Sequence, residues 1–113
     1  MGTINHHAVI ATTWDEELFQ LTKLACHNLT GTFTFGPPTI NGYQTVILVP
    51  DGSKEGWADS DAGDTARAKF IEHLQTSDYD DGSSPWEWIE VSFGEYGEHI
   101  VSGNNENLFE AKP

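Results

Sequence analysis

The order of strand-like and helix-like segments is the feature of this sequence that most limits its fold. Five short segments have the apolar pattern of β-strands, either as an unbroken apolar run or with an apolar residue at every second position. Two longer segments instead repeat apolar residues every three or four positions, as amphipathic helices do. Strands are therefore predicted over residues 7–12, 30–35, 43–49, 86–93 and 98–102, and helices over residues 13–28 and 64–75.

This order predicts an α+β domain in which two helices pack on one face of a mainly antiparallel sheet of four to five strands. The succession β-α-β-β-α-β is that of a ferredoxin-like sandwich, and here one more strand follows it at the C-terminus. A chain of 113 residues has the usual size of one domain. We therefore expect residues 1–102 to form a single compact domain and residues 103–113 to form a flexible polar tail.

Apolar spacing also assigns a buried face to each helix. The residues expected in the core are Trp14, Leu18, Leu21 and Ala25 from the first helix and Ala66, Phe70, Ile71 and Leu74 from the second. Thr13 and Glu16 have the spacing of a capping box, which predicts that the first helix starts at Thr13.

Side chains in the strand over residues 86–93 point alternately to the two faces of the sheet, and each of the two sets contains both apolar and polar residues. We expect Ile89, Val91 and Phe93 to enter the core, because they are the more uniformly apolar set. Trp86 and Trp88 would then lie toward solvent, on the face that also carries Glu90 and Ser92.

The net charge of −13, from 18 acidic and 5 basic residues, narrows the classes of partner. Residues 70–111 contain ten acidic residues and no lysine or arginine. A surface of one sign repels nucleic acids and anionic membranes and attracts basic proteins, so we expect no direct nucleic-acid binding and no membrane binding. The single cysteine, and the lack of a long apolar run or a signal peptide, favour a cytoplasmic protein.

These features predict a small acidic protein-binding module, of which an inhibitor or nucleic-acid-mimicking decoy for a basic protein is one version. Its composition is similar to that of the small acidic inhibitors of phages and mobile elements. Exposed tryptophans beside carboxylates are typical of binding hot spots. The predicted partner-binding residues are Trp86, Trp88, Glu90, Asp78, Asp80 and Asp81. In the alternative interpretation the tail or a second subunit covers the two tryptophans, which allows a homodimer through the sheet.

A second acidic segment precedes the second helix, and Asp59, Asp61 and Asp64 in it have the alternation of a cation-binding loop. The pattern lacks the glycine at position six and the glutamate at position twelve of an EF-hand, which excludes that motif. Two interpretations stay open. Asp61 or Asp64 caps the second helix, or the three aspartates form an irregular divalent-cation site.

No catalytic set stands out, and no cofactor motif is present in the sequence. Cys26 and His27 are adjacent late in a helix, where a thiolate gains no stabilisation, so a buried structural cysteine is expected. The histidines lack zinc-site spacing, and no phosphate-binding loop occurs. The remaining alternative is a small-ligand domain or small enzyme that uses the three aspartates with His73.

Overall fold

The computed structural model describes residues 5–29, 31–50, 58–95 and 97–104, with the side chains of residues 5 and 58–62 outside that description. The chain is an α+β protein with a five-stranded antiparallel sheet and two helices. The elements are β1 (Asn5–Thr13), α1 (Glu16–Cys26), β2 (Thr32–Phe35), β3 (Gln44–Val49), α2 (Ala58–Gln75), β4 (Glu87–Gly94) and β5 (His99–Gly103).

The sheet has the strand order β2-β3-β1-β4-β5, so the first strand of the chain lies at its centre. Strand β1 pairs with β3 through Ile10 opposite Ile47, and with β4 through Ile10 opposite Ile89. The unbroken apolar run of β1 agrees with this central position, although only one face of the strand is covered by the helices and Ile10 on the other face is 36% exposed. Between β2 and β3 an Asn-Gly pair turns the chain, with positive φ at Asn41 and Gly42.

Both helices pack on the same face of the sheet. Alternate residues of the three central strands point toward the helices, and they form one core with the buried residues of α1 and α2. That core consists of Val9, Ala11, Val46, Leu48, Trp86, Trp88, Phe19, Cys26, Phe70 and Leu74. The buried face of α2 was predicted correctly, with Ala66, Phe70 and Leu74 buried and Ile71 packed at the margin.

The predicted orientation of β4 is wrong. Trp88 and Glu90 face the helices, because they pair with Ala11 and Val9, the helix-facing residues of β1. Ile89, Val91 and Phe93 therefore lie on the opposite face of the sheet. Alternation identified two sets of side chains, but pairing with β1 decided which set is buried.

The start and the buried face of α1 also differ from prediction. Asp15 caps the helix, since its Oδ1 accepts a hydrogen bond from the Leu18 amide at 3.0 Å. Thr13 instead donates its hydroxyl proton to the carbonyl of Pro85 at 2.7 Å. The buried residues of α1 are Phe19, Thr22 and Cys26, whereas Trp14 and Leu21 are exposed. The apolar spacing is compatible with both stripes, and the Phe19 ring selects the one that packs against Phe35 and Trp86.

Helix α2 begins at Ala58, six residues before its predicted start, and extends for 18 residues. Asp61 and Asp64 therefore lie within the helix, so the prediction that one of them caps it is wrong. Neither helix in the described part of the chain is long and apolar enough to cross a membrane. At the C-terminus β5 extends through Gly103, and the remainder of the expected tail, residues 105–113, lies outside the described residues.

Candidate protein-binding surface

The N-terminus of α1 and the loop after α2 meet at one end of the sheet. The Tyr79 hydroxyl donates a hydrogen bond to Asp15 Oδ2 at 2.8 Å, across 64 positions of sequence. The bond from Thr13 to the Pro85 carbonyl fixes the far end of the same loop. Two segments that are separate in the sequence thus form one continuous surface.

We call this surface the acidic end and define it by two runs of residues, 14–17 and 78–81. It contains six carboxylates and no basic residue. All of them are exposed except Asp15, which is half-buried by its contact with Tyr79. The six carboxylates of the acidic end are those of Asp15, Glu16, Glu17, Asp78, Asp80 and Asp81.

Two aromatic side chains lie among these carboxylates. Trp14 precedes the helix cap and is 58% exposed, and Tyr79 is 37% exposed. Trp14 was expected in the core, because its spacing from Leu18 and Leu21 matches a helical face. Its position directly before Asp15, a strong N-cap residue, is the signal that could have placed it outside the helix.

The loop of the acidic end has a defined conformation. The Tyr79 amide donates to the Ser83 carbonyl and the Gly82 amide to the Tyr79 carbonyl, both at 2.8 Å. Gly82 has φ +87, a value that favours glycine. Asp81 Oδ1 accepts from the Ser83 hydroxyl at 2.6 Å and from the Ser83 amide at 2.9 Å. The carboxylates of this short loop are therefore presented by a hydrogen-bonded turn.

Hydrogen bonds and neighbouring charges shift two pKa values in this loop. The pKa of Asp81 lies below its usual value, because the Ser83 hydroxyl and amide donate to its ionised form. The pKa of Tyr79 lies above its usual value, mainly because its hydroxyl donates to Asp15, and further because of desolvation and the negative charges of Asp15 and Asp81. Near neutral pH the loop thus combines an ionised Asp81 with a neutral Tyr79, whose hydroxyl retains its proton and donates a hydrogen bond to Asp15.

The tryptophans predicted to bind a partner do not lie on the surface. Trp86 is 1% exposed and Trp88 is 5% exposed, so the expectation that they face solvent is wrong. The three predicted aspartates of the loop, Asp78, Asp80 and Asp81, are exposed, and their role in binding stays a prediction.

Glu90, the remaining predicted partner-binding residue, is buried among polar groups on the helix side of the sheet. Its Oε1 accepts from the Ser102 hydroxyl at 2.9 Å, and its Oε2 lies 3.8 Å from Arg67 Nε and 3.9 Å from His7 Nδ1. Arg67 also bonds to Asp64 on the same helix. These contacts connect α2 to β1, β4 and β5. Because the Glu90 carboxylate already has these partners inside the protein, Glu90 links parts of the fold and does not form part of an exposed binding surface.

The predicted cation site of Asp59, Asp61 and Asp64 lies mostly outside the described residues and stays a prediction. Asp64 is exposed and engaged by Arg67, while the side chains of Asp59 and Asp61 lie outside the described part of the chain. Within that part no group of three histidine, cysteine or acidic side chains is arranged to hold a metal ion. Residues 51–57, which precede α2 in the sequence, also lie outside the described residues.

Cys26 and His73 lie on the facing sides of the two helices, and burial shifts the pKa of both. Burial raises the pKa of the Cys26 thiol to about 11, so it is protonated at neutral pH and is a poor nucleophile. Burial lowers the pKa of His73, whose Nε2 lies 2.9 Å from the Thr22 hydroxyl. The expectation of a buried cysteine is confirmed.

Comparison of the chain with protein-family models, with curated proteins and with solved structures finds no match.

Proposed function

We propose that this chain is a protein-binding domain whose acidic end engages a basic surface of a partner protein. The observation that carries the proposal is the hydrogen bond between Tyr79 and Asp15, because it joins two acidic segments into one surface. On that surface lie six carboxylates and the exposed ring of Trp14.

This combination suits binding for two physical reasons. Clustered charges of one sign accelerate encounter with an oppositely charged surface and disfavour partners of the same sign. Aromatic side chains at the centre of such a surface supply most of the binding energy once they are desolvated. Trp14 and Tyr79 take the place of Trp86 and Trp88 as the candidate anchors.

An inhibitor or decoy that imitates nucleic acid is a specific version of this proposal. Duplex DNA presents one negative charge for roughly every 1.7 Å of its axis, and proteins that bind it carry basic surfaces to match. The two short acidic runs, 14–17 and 78–81, together give a dense group of carboxylates in a small area. The partner in this version is a nucleic-acid-binding protein, and the chain competes with its nucleic acid.

A matched pair of charge reversals tests the proposal. Asp78→Lys with Asp80→Lys changes the charge at the acidic end, and Glu95→Lys with Glu98→Lys makes the same change elsewhere. Glu95 and Glu98 are exposed beside the turn between β4 and β5, near Gly94, which pairs with Asn5 at the opposite end of the sheet. The two double variants have equal net charge, so a nonspecific charge effect would appear in both.

The assay compares proteins captured from a lysate of the source cells on beads that carry the wild-type chain or one of the variants. We expect the wild type and the Glu95/Glu98 variant to capture the same basic protein. The Asp78/Asp80 variant should not capture it. Calorimetry with that purified protein should show at least about tenfold weaker binding for the Asp78/Asp80 variant and for Trp14→Ala. Equal losses in the two double variants would contradict a localised binding surface.

We further propose that the sheet has the ferredoxin-like arrangement with β5 added beside β4. In support, strands β4-β1-β3-β2 are consecutive in the sheet. Each helix then connects two strands that have a third strand between them, as a split βαβ unit requires.

A further inference from the structure

We propose that the sheet face opposite the helices packs against the same face of a second copy of this chain. We call it the open face, because both helices lie on the other side of the sheet. Its residues are those that alternate with the core positions of each strand.

The open face is apolar at its centre. Ile10 on the central strand is 36% exposed and pairs with Ile47 on one side and Ile89 on the other, which gives a row of three isoleucines. In a neighbouring row Val91 lies between Ala8 and Ile100. The isoleucines of β3 and β4 and the valine of β4 are partly exposed and do not belong to the core cluster. Such a continuous apolar area on a soluble chain is typical of an interface.

The charge distribution favours a second copy as the occupant. Among the described residues of the open face, Glu87 is the single carboxylate, and it lies at the margin opposite Thr12. Two copies of a chain of net charge −13 repel each other over most of their surface, but this face lets them approach without opposing rows of carboxylates. A basic partner gains little charge attraction from a face with a single marginal carboxylate, so we assign it to the acidic end instead.

The size of the open face suits a dimer. Strands lie about 4.8 Å apart and advance about 3.3 Å per residue, so five strands of four to nine residues outline roughly 500 Å². Side-chain relief makes the accessible area larger than this outline. Specific interfaces begin at about 600 Å² per partner, and face-to-face packing of two such sheets therefore reaches the lower end of that range.

The strand edges are less suited to joining two copies. Edge strand β2 has only four residues, and the pairing of edge strand β5 with β4 is interrupted by a register shift at Glu90 and Val91. Short or irregular edges offer few aligned hydrogen-bonding groups for another strand. The face is thus the better surface for self-association.

Sedimentation equilibrium of the full chain over about 1 to 300 μM tests the proposal. We expect the apparent mass to rise with concentration toward twice the 12.5 kDa of one chain. Ile10→Lys places a charge at the centre of the open face and should weaken the dimer at least 100-fold. Ile40→Lys is the matched control, because Ile40 is 86% exposed in the turn between β2 and β3 and lies off the sheet.

Circular dichroism establishes that each variant is folded. If Ile10→Lys does not fold, Ile100→Lys on edge strand β5 provides a milder test of the same face, with at least tenfold weakening expected. A wild-type chain that stays monomeric over the whole range would overturn the proposal. A dimer that both folded lysine variants of the face leave unchanged would also overturn it. Charge reversal of Asp78 and Asp80 should leave the dimer intact, which separates this test from that of the acidic end.

Discussion

Replacing Trp88 with alanine tests the central correction to the sequence-based fold, the orientation of β4. Trp88 is 5% exposed and packs in the core beside Ala11. If the indole were on the solvent side, as the alternation first indicated, its removal would cost little. Because it fills the space between the sheet and the helices, we expect a large loss of stability.

The size of the loss follows from burial. A tryptophan side chain buries roughly 150–250 Å², and at about 25 cal/mol per Å² this amounts to about 4–6 kcal/mol. Alanine keeps a small part of this area, and the cavity that is left adds a penalty where the core does not relax. We expect Trp88→Ala to lower the free energy of unfolding by about 4 kcal/mol, within the range for Trp-to-Ala changes in cores. Domains of this size have total stabilities of about 5–15 kcal/mol.

The assay is urea unfolding followed by far-UV circular dichroism, which does not depend on tryptophan fluorescence. Trp14→Ala is the matched control, since this indole is mostly exposed and its removal should cost less than about 1 kcal/mol. Phe93→Ala probes the other face of β4 and should cost about 1 kcal/mol. All variants are compared at one low concentration, so that self-association contributes equally little.

A reversed order of the two losses would contradict the burial of Trp88. If Trp88→Ala stays within 1 kcal/mol of the wild type while Phe93→Ala costs several, then Phe93 occupies the core. The pairing of Trp88 with Ala11 would then be incorrect, and the assignment of the open face would be incorrect with it.

Two further predictions concern the buried titratable groups. Because the pKa of Cys26 is about 11 in the folded chain against 9.0 for an exposed thiol, the folded chain should react with iodoacetamide about 100-fold more slowly than the unfolded chain at pH 8, as measured by mass spectrometry. The same difference means that burial of the neutral thiol stabilises the fold below pH 9, and that this contribution is lost as the pH rises toward 11. Burial lowers the pKa of His73 below 6.5, so its contribution is present above pH 6.5 and lost as the pH falls. Urea unfolding at pH 7.5 and pH 5 should therefore show a smaller acid-induced loss for His73→Gln than for the wild type, and equal losses would contradict a buried neutral His73.

Several elements could be predicted from the sequence because they depend on local periodicity. The apolar run of β1, the alternation of Phe33 and Phe35 in β2 and the stripe of α2 all appear in the structure where the pattern placed them. The burial of Cys26 could also be predicted, because it lies late in a helix and has no neighbour that would activate its thiol.

The face of β4 and the stripe of α1 could not be predicted in the same way. In β4 both alternating sets contain large apolar residues, so a period of two fits either orientation, and pairing with Ala11 and Val9 of β1 decides between them. In α1 two stripes one residue apart satisfy the helical spacing, and the contacts of Phe19 with the sheet select one of them.

The order of strands and helices and the strongly negative charge can be read from the amino-acid sequence, because they depend on residue identity and local pattern. The place where that charge gathers depends on the fold, since Asp15 and Tyr79 are 64 positions apart and meet through the packing of α1 beside the loop after α2. The fold also decides that the isoleucines of β1, β3 and β4 lie in one row, because strand pairing sets which side chains are neighbours across a sheet. The two proposed interaction surfaces therefore depend on long-range contacts that no local pattern contains.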